Sequence, residues 1–251
     1  MIDVSVYLQR INYHGSTAPT VGTLREIHRA HLLAVPFENL DVHRNKPIVL
    51  NEAALFEKII INRRGGYCYE LNGLLASLLR EMGFDVTMFS SNVLHGGIPA
   101  EIDHLTLLIQ LDERWIVDVG FGDSSRLPLR LVEDENQSGV DATYRFVHSG
   151  NLWLLQRLLE SNEWYDEYSF DATMAPLTLP DFEHANHYYQ TAPESWFVQG
   201  RICSRAADDG RISLTGDSLI VTRNGQRDEA PIDGEQDFVR ALNENFGIQL
   251  S

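Results

Sequence analysis

The chain has 251 residues, of which 43% are hydrophobic and 22% are charged. These proportions are typical of a globular protein with one large core or a few small ones, and they exclude disorder as the default. The formal net charge of −16 at pH 7 argues against nucleic acids and anionic membrane surfaces as partners, because a strongly acidic protein repels them.

The sequence predicts neither a membrane anchor nor a secretion signal. No apolar run approaches the ~18 residues that a membrane-spanning helix needs. The segment Met1-Ile2-Asp3-Val4 lacks the basic region and apolar core of a signal peptide. Two cysteines in different surroundings do not form a disulfide framework. We therefore expect a cytoplasmic protein, in a reducing compartment that would protect a reactive thiol from oxidation.

Helical periodicity dominates the first third of the chain. Apolar residues from Val4 to Ile11 follow helical spacing, with Asp3 as the expected cap. Residues 23–26 have the pattern of a capping box, which predicts that a second helix begins at Thr23 and ends before Pro36. The pattern of residues 53–61 indicates a third helix.

Histidines in this chain do not form a recognisable metal site. His28 and His31 are three residues apart on one face of the second helix. Neither these two nor His95, His184 and His187 belong to a set of three or four ligands at a known spacing. We therefore predict no metal, and packing or hydrogen-bonding roles for His28 and His31.

Cys68 is expected at the start of a strongly patterned helix. An apolar stripe with helical spacing follows it and stops at Gly83. Because Gly65-Gly66 cannot easily continue a helix, the first turn should begin near Cys68 and place its sulfur beside unpaired N–H groups. That position favours the nucleophilic thiolate. Most free cysteines are buried and inert, but the glycines before Cys68 and the partners after it favour a reactive thiol.

Two alternating segments further along the chain supply an imidazole and a carboxylate. Residues 104–111 place apolar side chains on one face and His104 on the other, and residues 114–121 do the same with Asp118. The polar pair Asp112-Glu113 indicates a hairpin turn between the two strands. For a common apolar face, odd residues must lie opposite odd residues, so that His104 and Asp118 share the second face.

The distance between these two side chains is not explained by a simple hairpin. A three-residue loop at 112–114 would set Asp118 opposite Leu108, roughly 13 Å along the strand from His104 at ~3.3 Å per residue. A bulge or a strong curl of the strands would be needed to bring the two side chains together.

Cys68, His104 and Asp118 are the residue types of a nucleophilic triad. The thiolate attacks, the imidazole takes and returns a proton, and the carboxylate holds the imidazole in one tautomer. Taken alone, His104 could be a strand-edge histidine and Asp118 a surface carboxylate. Together with Cys68, they favour a catalytic interpretation.

Several segments of this sequence resemble the arylamine N-acetyltransferases. They are Val35-Pro36-Phe37-Glu38-Asn39-Leu40, Arg64-Gly65-Gly66-Tyr67-Cys68-Tyr69-Glu70-Leu71-Asn72, the His104 strand, and Val117-Asp118-Val119-Gly120-Phe121-Gly122. The resemblance extends from Tyr7 to about Phe197 and continues more weakly to the end. It implies a ping-pong transfer of acetyl from acetyl-CoA to an arylamine or arylhydrazine, through an acetyl-cysteine, with Cys68, His104 and Asp118 as the triad.

The same resemblance implies roles for six further residues. Phe37, Phe121, Gly122 and Phe197 would contact the acceptor or the coenzyme, and Glu38 and Arg64 would form a buried ion pair that braces the cysteine loop. Each role has a plainer alternative, namely a core aromatic, a turn glycine or a surface charge. Coenzyme A is a polyanion, so local N–H groups or arginines would have to offset the acidic charge of the chain.

Strand periodicity replaces helical periodicity from Val86 onward. Short strands with frequent turns predict an antiparallel sheet or barrel, interrupted by a mobile connection at residues 133–139. Residues 181–189 predict a connecting helix. Terminal strands follow, with Asn224-Gly225 as a hairpin turn, and then a last amphipathic helix near residues 235–242. Cys203 lies within a strand pattern and is expected to be structural.

The expected fold is α+β, with a cysteine-protease-like arrangement of Cys, His and Asp. Its parts are a helical domain with the catalytic cysteine at residues 1–84, an antiparallel β-barrel domain with the histidine and aspartate at 85–180, an interdomain connection at 181–200 and an α/β lid at 201–251. Two alternatives to the transferase stay open. A cysteine hydrolase or amide synthase would use the same triad on another acyl substrate, and a binding protein would keep the fold without chemistry.

Overall fold

The computed structural model describes residues 2–94 and 104–250. The helices are α1 (Val4–Arg10), α2 (Val21–Ala34), α3 (Leu40–His43), α4 (Glu52–Phe56) with a π-helical turn at Glu57–Ile61, α5 (Cys68–Glu81), a 3₁₀ turn at Leu179–Phe182, α6 (Glu183–Thr191), α7 (Trp196–Gln199) and α8 (Gly234–Phe246). The strands are β1 (Phe37–Glu38), β2 (Asp85–Val93), β3 (His104–Gln110), β4 (Arg114–Val117), β5 (Leu129–Arg130), β6 (Gln137–Ser138), β7 (Thr143–Ser149), β8 (Leu152–Leu158), β9 (Trp164–Asp171), β10 (Ile202–Ala207), β11 (Gly210–Thr215), β12 (Ser218–Arg223) and β13 (Gln226–Pro231).

Helix α5 is the central element of the N-terminal half. It begins at Cys68, as the sequence predicts, and its third residue Glu70 accepts a hydrogen bond of 3.2 Å from the backbone N–H of Tyr67. The helix packs on β2, β3, α1 and α4, and nearly its whole length is buried. It ends at Glu81, shortly before Gly83, whose φ of +87° favours glycine. The N-terminus of this helix therefore lies inside the molecule.

The N-cap of helix α2 lies three residues earlier than the capping-box pattern predicts. The cap is Thr20 and not Thr23: the Thr20 hydroxyl accepts from the Thr23 N–H at 3.2 Å, and the Thr20 carbonyl already accepts from the Leu24 N–H at 2.9 Å. A threonine at either position can cap a helix, and the earlier start adds backbone hydrogen bonds. The end of the helix at Ala34, before Pro36, agrees with the prediction.

The larger sheet has eight antiparallel strands in the order β5-β4-β3-β2-β9-β8-β7-β6 and curls into a nearly closed barrel. One face packs against α5 through Leu105, Leu107 and Val117, and the barrel has its own apolar interior around Phe146. The predicted mobile connection at residues 133–139 is wrong in part, because it contains β6, which pairs with β7.

The pairing register of the β3–β4 hairpin differs from the predicted register by two residues, because the loop lies one residue earlier. Arg114 pairs with Gln110, and Leu107 pairs with Val117, so the loop covers residues 111–113 and not 112–114. Odd residues lie opposite odd residues, as expected. Continued by one step beyond the last pair, this register would set Asp118 opposite Thr106 and not Leu108, which halves its predicted separation from His104 along the strand.

The smaller sheet has the order β1-β10-β11-β12-β13 and packs on α8. Its two-residue turn at Asn224 (φ 49°) and Gly225 (φ 79°) confirms the predicted hairpin. Strand β1 comes from the N-terminal half and pairs with β10, where Glu38 lies opposite Cys203, a fully buried residue. Among the described residues, no helix has the length and apolar character needed to cross a membrane.

Candidate active site

Cys68, His104 and Asp118 meet where the N-terminus of α5 faces the ends of β3 and β4. His104 Nε2 lies 2.7 Å from Asp118 Oδ2, and the Cys68 side chain is close enough to raise the pKa of the imidazole. All three residues are buried. The contact that the predicted hairpin could not explain is made because the register differs by two residues and the chain leaves the strand after Val117.

The electrostatics of the site favour an ion pair between His104 and Asp118. Burial alone would disfavour the imidazolium, but the Asp118 charge, its hydrogen bond and the Cys68 side chain outweigh burial and raise the pKa of His104 to about 10. Burial likewise opposes the Asp118 carboxylate, yet the His104 charge and hydrogen bonds from His104, Asn72 and Gly120 lower its pKa below the ordinary value. At neutral pH His104 is therefore an imidazolium paired with the Asp118 carboxylate.

Two residues missed by the sequence analysis hold Asp118 in place. Its Oδ1 atom accepts hydrogen bonds from Asn72 Nδ2 at 2.8 Å and from the Gly120 N–H at 2.9 Å. Asn72 follows Cys68 by four residues on α5, so both side chains lie on one face of the helix. The sequence could have indicated Asn72, because it is a polar residue within the buried segment that follows Cys68.

Gly120 allows the aspartate loop to approach the cysteine helix. A Cβ atom at this position would lie 2.6 Å from the Cys68 Cα atom and 2.9 Å from Asn72 Nδ2. Real Cβ atoms do not come so close to backbone, so only glycine permits this approach.

His28 and His31 have the packing and hydrogen-bonding roles that the sequence predicts. His28 Nε2 lies 3.2 Å from the backbone oxygen of Asp118, and His31 Nδ1 lies 2.9 Å from the Tyr7 hydroxyl. Burial lowers the pKa of both imidazoles, that of His31 to about 3, so both are neutral. In the described residues, no cluster of three or more His, Cys, Asp or Glu side chains could hold a metal ion, and His95 lies outside the described residues.

Glu38 and Arg64 form a buried ion pair beneath the cysteine loop. Arg64 Nε and Nη2 lie 3.0 and 2.8 Å from Glu38 Oε1. Glu38 also accepts hydrogen bonds from the backbone N–H groups of Gly65 (3.2 Å) and Leu40 (2.8 Å). The carboxylate therefore ties β1 and the start of α3 to the glycines that precede Cys68.

The ion pair belongs to a larger charge network that the sequence analysis did not find. Asp41 accepts from Arg64 at 3.0 Å and from Lys58 at 2.9 Å, and Lys58 also lies 2.6 Å from Glu70. Burial raises the pKa of Glu70 to about 7, partly offset by Lys58. Because Glu70 caps the first turn of α5, this network fixes the start of the cysteine helix.

Aromatic rings lie close to the triad. Phe37 lies 6.0 Å from Phe197 between ring centroids, and Phe197 stacks on Tyr67 at 4.9 Å. Phe121 contacts His104 edge-on at 5.4 Å. Gly122, with φ +95°, lies against Phe37, whose ring is 3.6 Å from where a Cβ would be. The structure thus brings together all four residues expected to line the pocket, along with Tyr67 and Tyr168, which also contacts His104 and Phe121.

Comparison with known proteins places the chain among the N-acetyltransferases. The model of an N-acetyltransferase family matches residues 20–251. An arylamine N-acetyltransferase of Mycolicibacterium smegmatis is 36% identical over 259 residues, which cover 99% of this chain and 93% of that protein. A pineal gland arylamine N-acetyltransferase of Gallus gallus is 33% identical and covers 99% of this chain and 95% of its own length.

Solved structures agree with this assignment. The arylamine N-acetyltransferase of M. tuberculosis has a TM-score of 0.90 and 34% identity, covering 98% of this chain and 94% of that one. The Mycobacterium marinum enzyme in complex with CoA has a TM-score of 0.90 and 34% identity, covering 98% and 93%. The chain belongs to the arylamine N-acetyltransferase family, as the resemblance of its motifs indicates.

Proposed function

We propose that this protein transfers an acetyl group from acetyl-CoA to an arylamine or arylhydrazine through an acetyl-Cys68 intermediate. The observation that carries the proposal is the buried convergence of the three residues: His104 Nε2 lies 2.7 Å from Asp118, Cys68 raises the pKa of His104, and the loop after Asp118 approaches the Cys68 backbone at Gly120. Relatives named arylamine N-acetyltransferases and a relative in complex with CoA support the identity of acceptor and donor.

In the first half-reaction, the Cys68 thiolate attacks the thioester carbonyl carbon of acetyl-CoA. The new C–S bond to Cys68 forms as the bond to the CoA sulfur breaks, and the imidazolium of His104 gives its proton to the departing CoA thiolate. Exchange between two thioesters is nearly isoenergetic, which suits a cysteine to hold acetyl for a short time. Asp118 keeps Nε2 of His104 occupied, so that the other ring nitrogen serves the reacting sulfur.

In the second half-reaction, the amine nitrogen attacks the acetyl-Cys68 carbonyl carbon. Neutral His104 takes the proton from nitrogen, the C–S bond breaks, and the thiolate–imidazolium pair is restored. CoA has left before the amine reacts, and this order defines the ping-pong mechanism.

The aromatic residues around the triad suit a flat acceptor. Phe37, Phe121 and Phe197 offer ring faces and edges for stacking, and Gly122 lies against Phe37. Such a pocket selects planar apolar amines and tolerates variation among them.

We also propose the organisation of the chain around this chemistry. A helical domain at residues 1–84 would carry Cys68, a barrel domain at 85–180 would carry His104 and Asp118, a connection at 181–200 would follow, and residues 201–251 would form a lid. Separate apolar clusters in the barrel and beneath the C-terminal sheet support this division. We place the protein in the cytoplasm, where a reducing environment would keep Cys68 and Cys203 as free thiols.

The fate of the acetyl-enzyme separates the transferase from a cysteine hydrolase. The protein is treated with radiolabelled acetyl-CoA, freed of small molecules, and divided between buffer and buffer with an arylamine. We expect the label to stay on the protein in buffer and to move to the amine within the mixing time when the amine is present. Equal loss of label in both samples, with acetate as the product, would establish a hydrolase instead.

A further inference from the structure

Asn72 is an unusual residue for its place in the fold. It lies within helix α5, one turn after Cys68, and is fully buried among apolar side chains. Asparagine disfavours helix interiors, because its amide competes for backbone hydrogen bonds. A buried amide must also be hydrogen-bonded to avoid a large desolvation cost. A residue with both costs requires specific partners.

The partners of Asn72 are all near the triad. Its Nδ2 atom donates to the Leu105 carbonyl at 2.7 Å and to Asp118 Oδ1 at 2.8 Å, and its Oδ1 atom accepts from the Val119 N–H at 2.8 Å. Because a carbonyl can only accept and a backbone N–H can only donate, these contacts fix the orientation of the amide. Asn72 therefore joins helix α5 to Leu105, Asp118 and Val119.

These contacts determine which oxygen of Asp118 faces His104. Asn72 and the Gly120 N–H occupy Oδ1, so that Oδ2 alone is left for His104 Nε2. Without the amide, the carboxylate could rotate or move with its loop, since only one backbone donor would hold Oδ1. The Asn72 amide also stabilises the charged form of the Asp118 carboxylate, and this carboxylate in turn stabilises the His104 imidazolium.

We propose that Asn72 is a positioning residue of the triad: it connects the helix that carries the nucleophile to the carboxylate that orients the imidazole, and so keeps Cys68, His104 and Asp118 in one geometry. This inference rests on the proposed function, because it assigns Asn72 a role in the same acyl transfer. Asn72 does not touch the reacting sulfur or the substrate in this role, and acts through Asp118.

A second asparagine provides a matched control. Asn39 is also buried, donates from Nδ2 to the carbonyls of Phe197 (3.0 Å) and Gly200 (2.7 Å), and accepts from the Ile202 N–H at 2.8 Å. It thus makes the same number of side-chain hydrogen bonds as Asn72 with the same chemistry, but none of its partners is a residue of the triad. Asn39→Ala and Asn72→Ala should lose comparable amounts of stability.

The test measures the pH dependence of Cys68 alkylation by iodoacetamide, with peptide mass spectrometry to assign the label. In the wild type, we expect the rate at pH 6 to be close to the rate at pH 8, because His104 keeps its proton over this range. In Asn72→Ala, we expect the rate at pH 6 to fall by about ten- to hundred-fold, the effect of losing a hydrogen bond to a charged group. At pH 9 the two rates should converge. Asn39→Ala should keep the wild-type profile.

Asn72→Asp is the second variant, since it preserves side-chain size and the oxygen that accepts from Val119. When ionised, it cannot donate to Asp118, so we expect the same loss at pH 6 to 8. A wild-type pH profile in either folded variant would overturn the positioning role. Failure of both variants to fold, while Asn39→Ala folds, would make Asn72 a stability residue and also overturn it. An ordinary thiol profile in the wild type would instead overturn the proposed function, and this inference with it.

Discussion

Replacing Gly120 by alanine tests whether the close approach of the aspartate loop to α5 sets the geometry of the site. The added Cβ would lie 2.6 Å from the Cys68 Cα atom, whereas ordinary contact begins at 3.4 Å. The loop must therefore move away from the helix by about 0.8 Å. The Cys68 Cα atom cannot yield as easily, because it belongs to the backbone of a buried helix.

This displacement reaches the carboxylate directly. The Gly120 N–H donates to Asp118 Oδ1 at 2.9 Å, and an alanine would also press on Asn72 Nδ2, the other donor to that oxygen. A misplacement of ~1 Å in a catalytic group can cost ~10²-fold in rate. We expect kcat/KM of Gly120→Ala to fall by about 10²-fold, with a loss of roughly 1–3 kcal/mol in the free energy of unfolding.

The assay is arylamine acetylation with acetyl-CoA, followed by release of the CoA thiol. Gly200→Ala is the matched control, because nothing lies within 4 Å of its Cβ position and its φ of −144° suits any residue. The control should retain wild-type kinetics. If Gly120→Ala kept more than half of the wild-type kcat/KM, the close approach would not set the geometry of the triad.

Three further predictions follow from the charges around the site. Glu38→Gln should lower the free energy of unfolding by about 3 kcal/mol in urea, the lower end of the cost of breaking a buried pair, because Arg64 keeps Asp41 as a partner; an unchanged midpoint would contradict this. Asp118→Asn should fold normally but lose about 10³-fold or more in kcat, as expected when the histidine loses its orienting carboxylate; near-normal kcat would exclude that role. Folding raises the pKa of His104 from 6.5 to about 10, so its contribution to stability is complete below pH 6.5 and is lost as pH rises towards 10. The free energy of unfolding of the wild type should therefore fall between pH 7 and 10. That of His104→Gln should fall less over the same range.

The position of Cys68 could be predicted because local rules determine it. Two glycines that cannot continue a helix precede it, and a stripe with helical spacing follows it. These short-range signals place the start of α5 at the observed residue. Where two local signals competed, as for Thr20 and Thr23 at the start of α2, the prediction was wrong by one turn.

The contact between His104 and Asp118 could not be derived from the strand pattern. Alternation fixes which face a side chain occupies, and this part of the prediction is confirmed by the pairing of Leu107 with Val117. It does not fix the loop, and a shift of two residues preserves every face while it moves Asp118 by ~7 Å along the strand. The family resemblance supplied the contact that geometry alone left open.

Residues that act over long sequence distances were the ones most easily missed. Asn72 meets Asp118 across 46 positions, and Lys58, Asp41 and Glu70 meet in a buried network that no local period predicts. Glu38 and Arg64 were expected only from the resemblance, and their contact is present. Tertiary packing decides such contacts, and sequence periodicity carries no signal for them.

The most direct test of the account is intact-protein and peptide mass spectrometry after brief mixing with acetyl-CoA and no acceptor. We predict one acetyl group per chain on Cys68, none on Cys203, and none in Cys68→Ala. Discharge of that group on addition of an arylamine should yield the acetylated amine. An unmodified Cys68 in a protein that still acetylates arylamines would contradict the covalent mechanism.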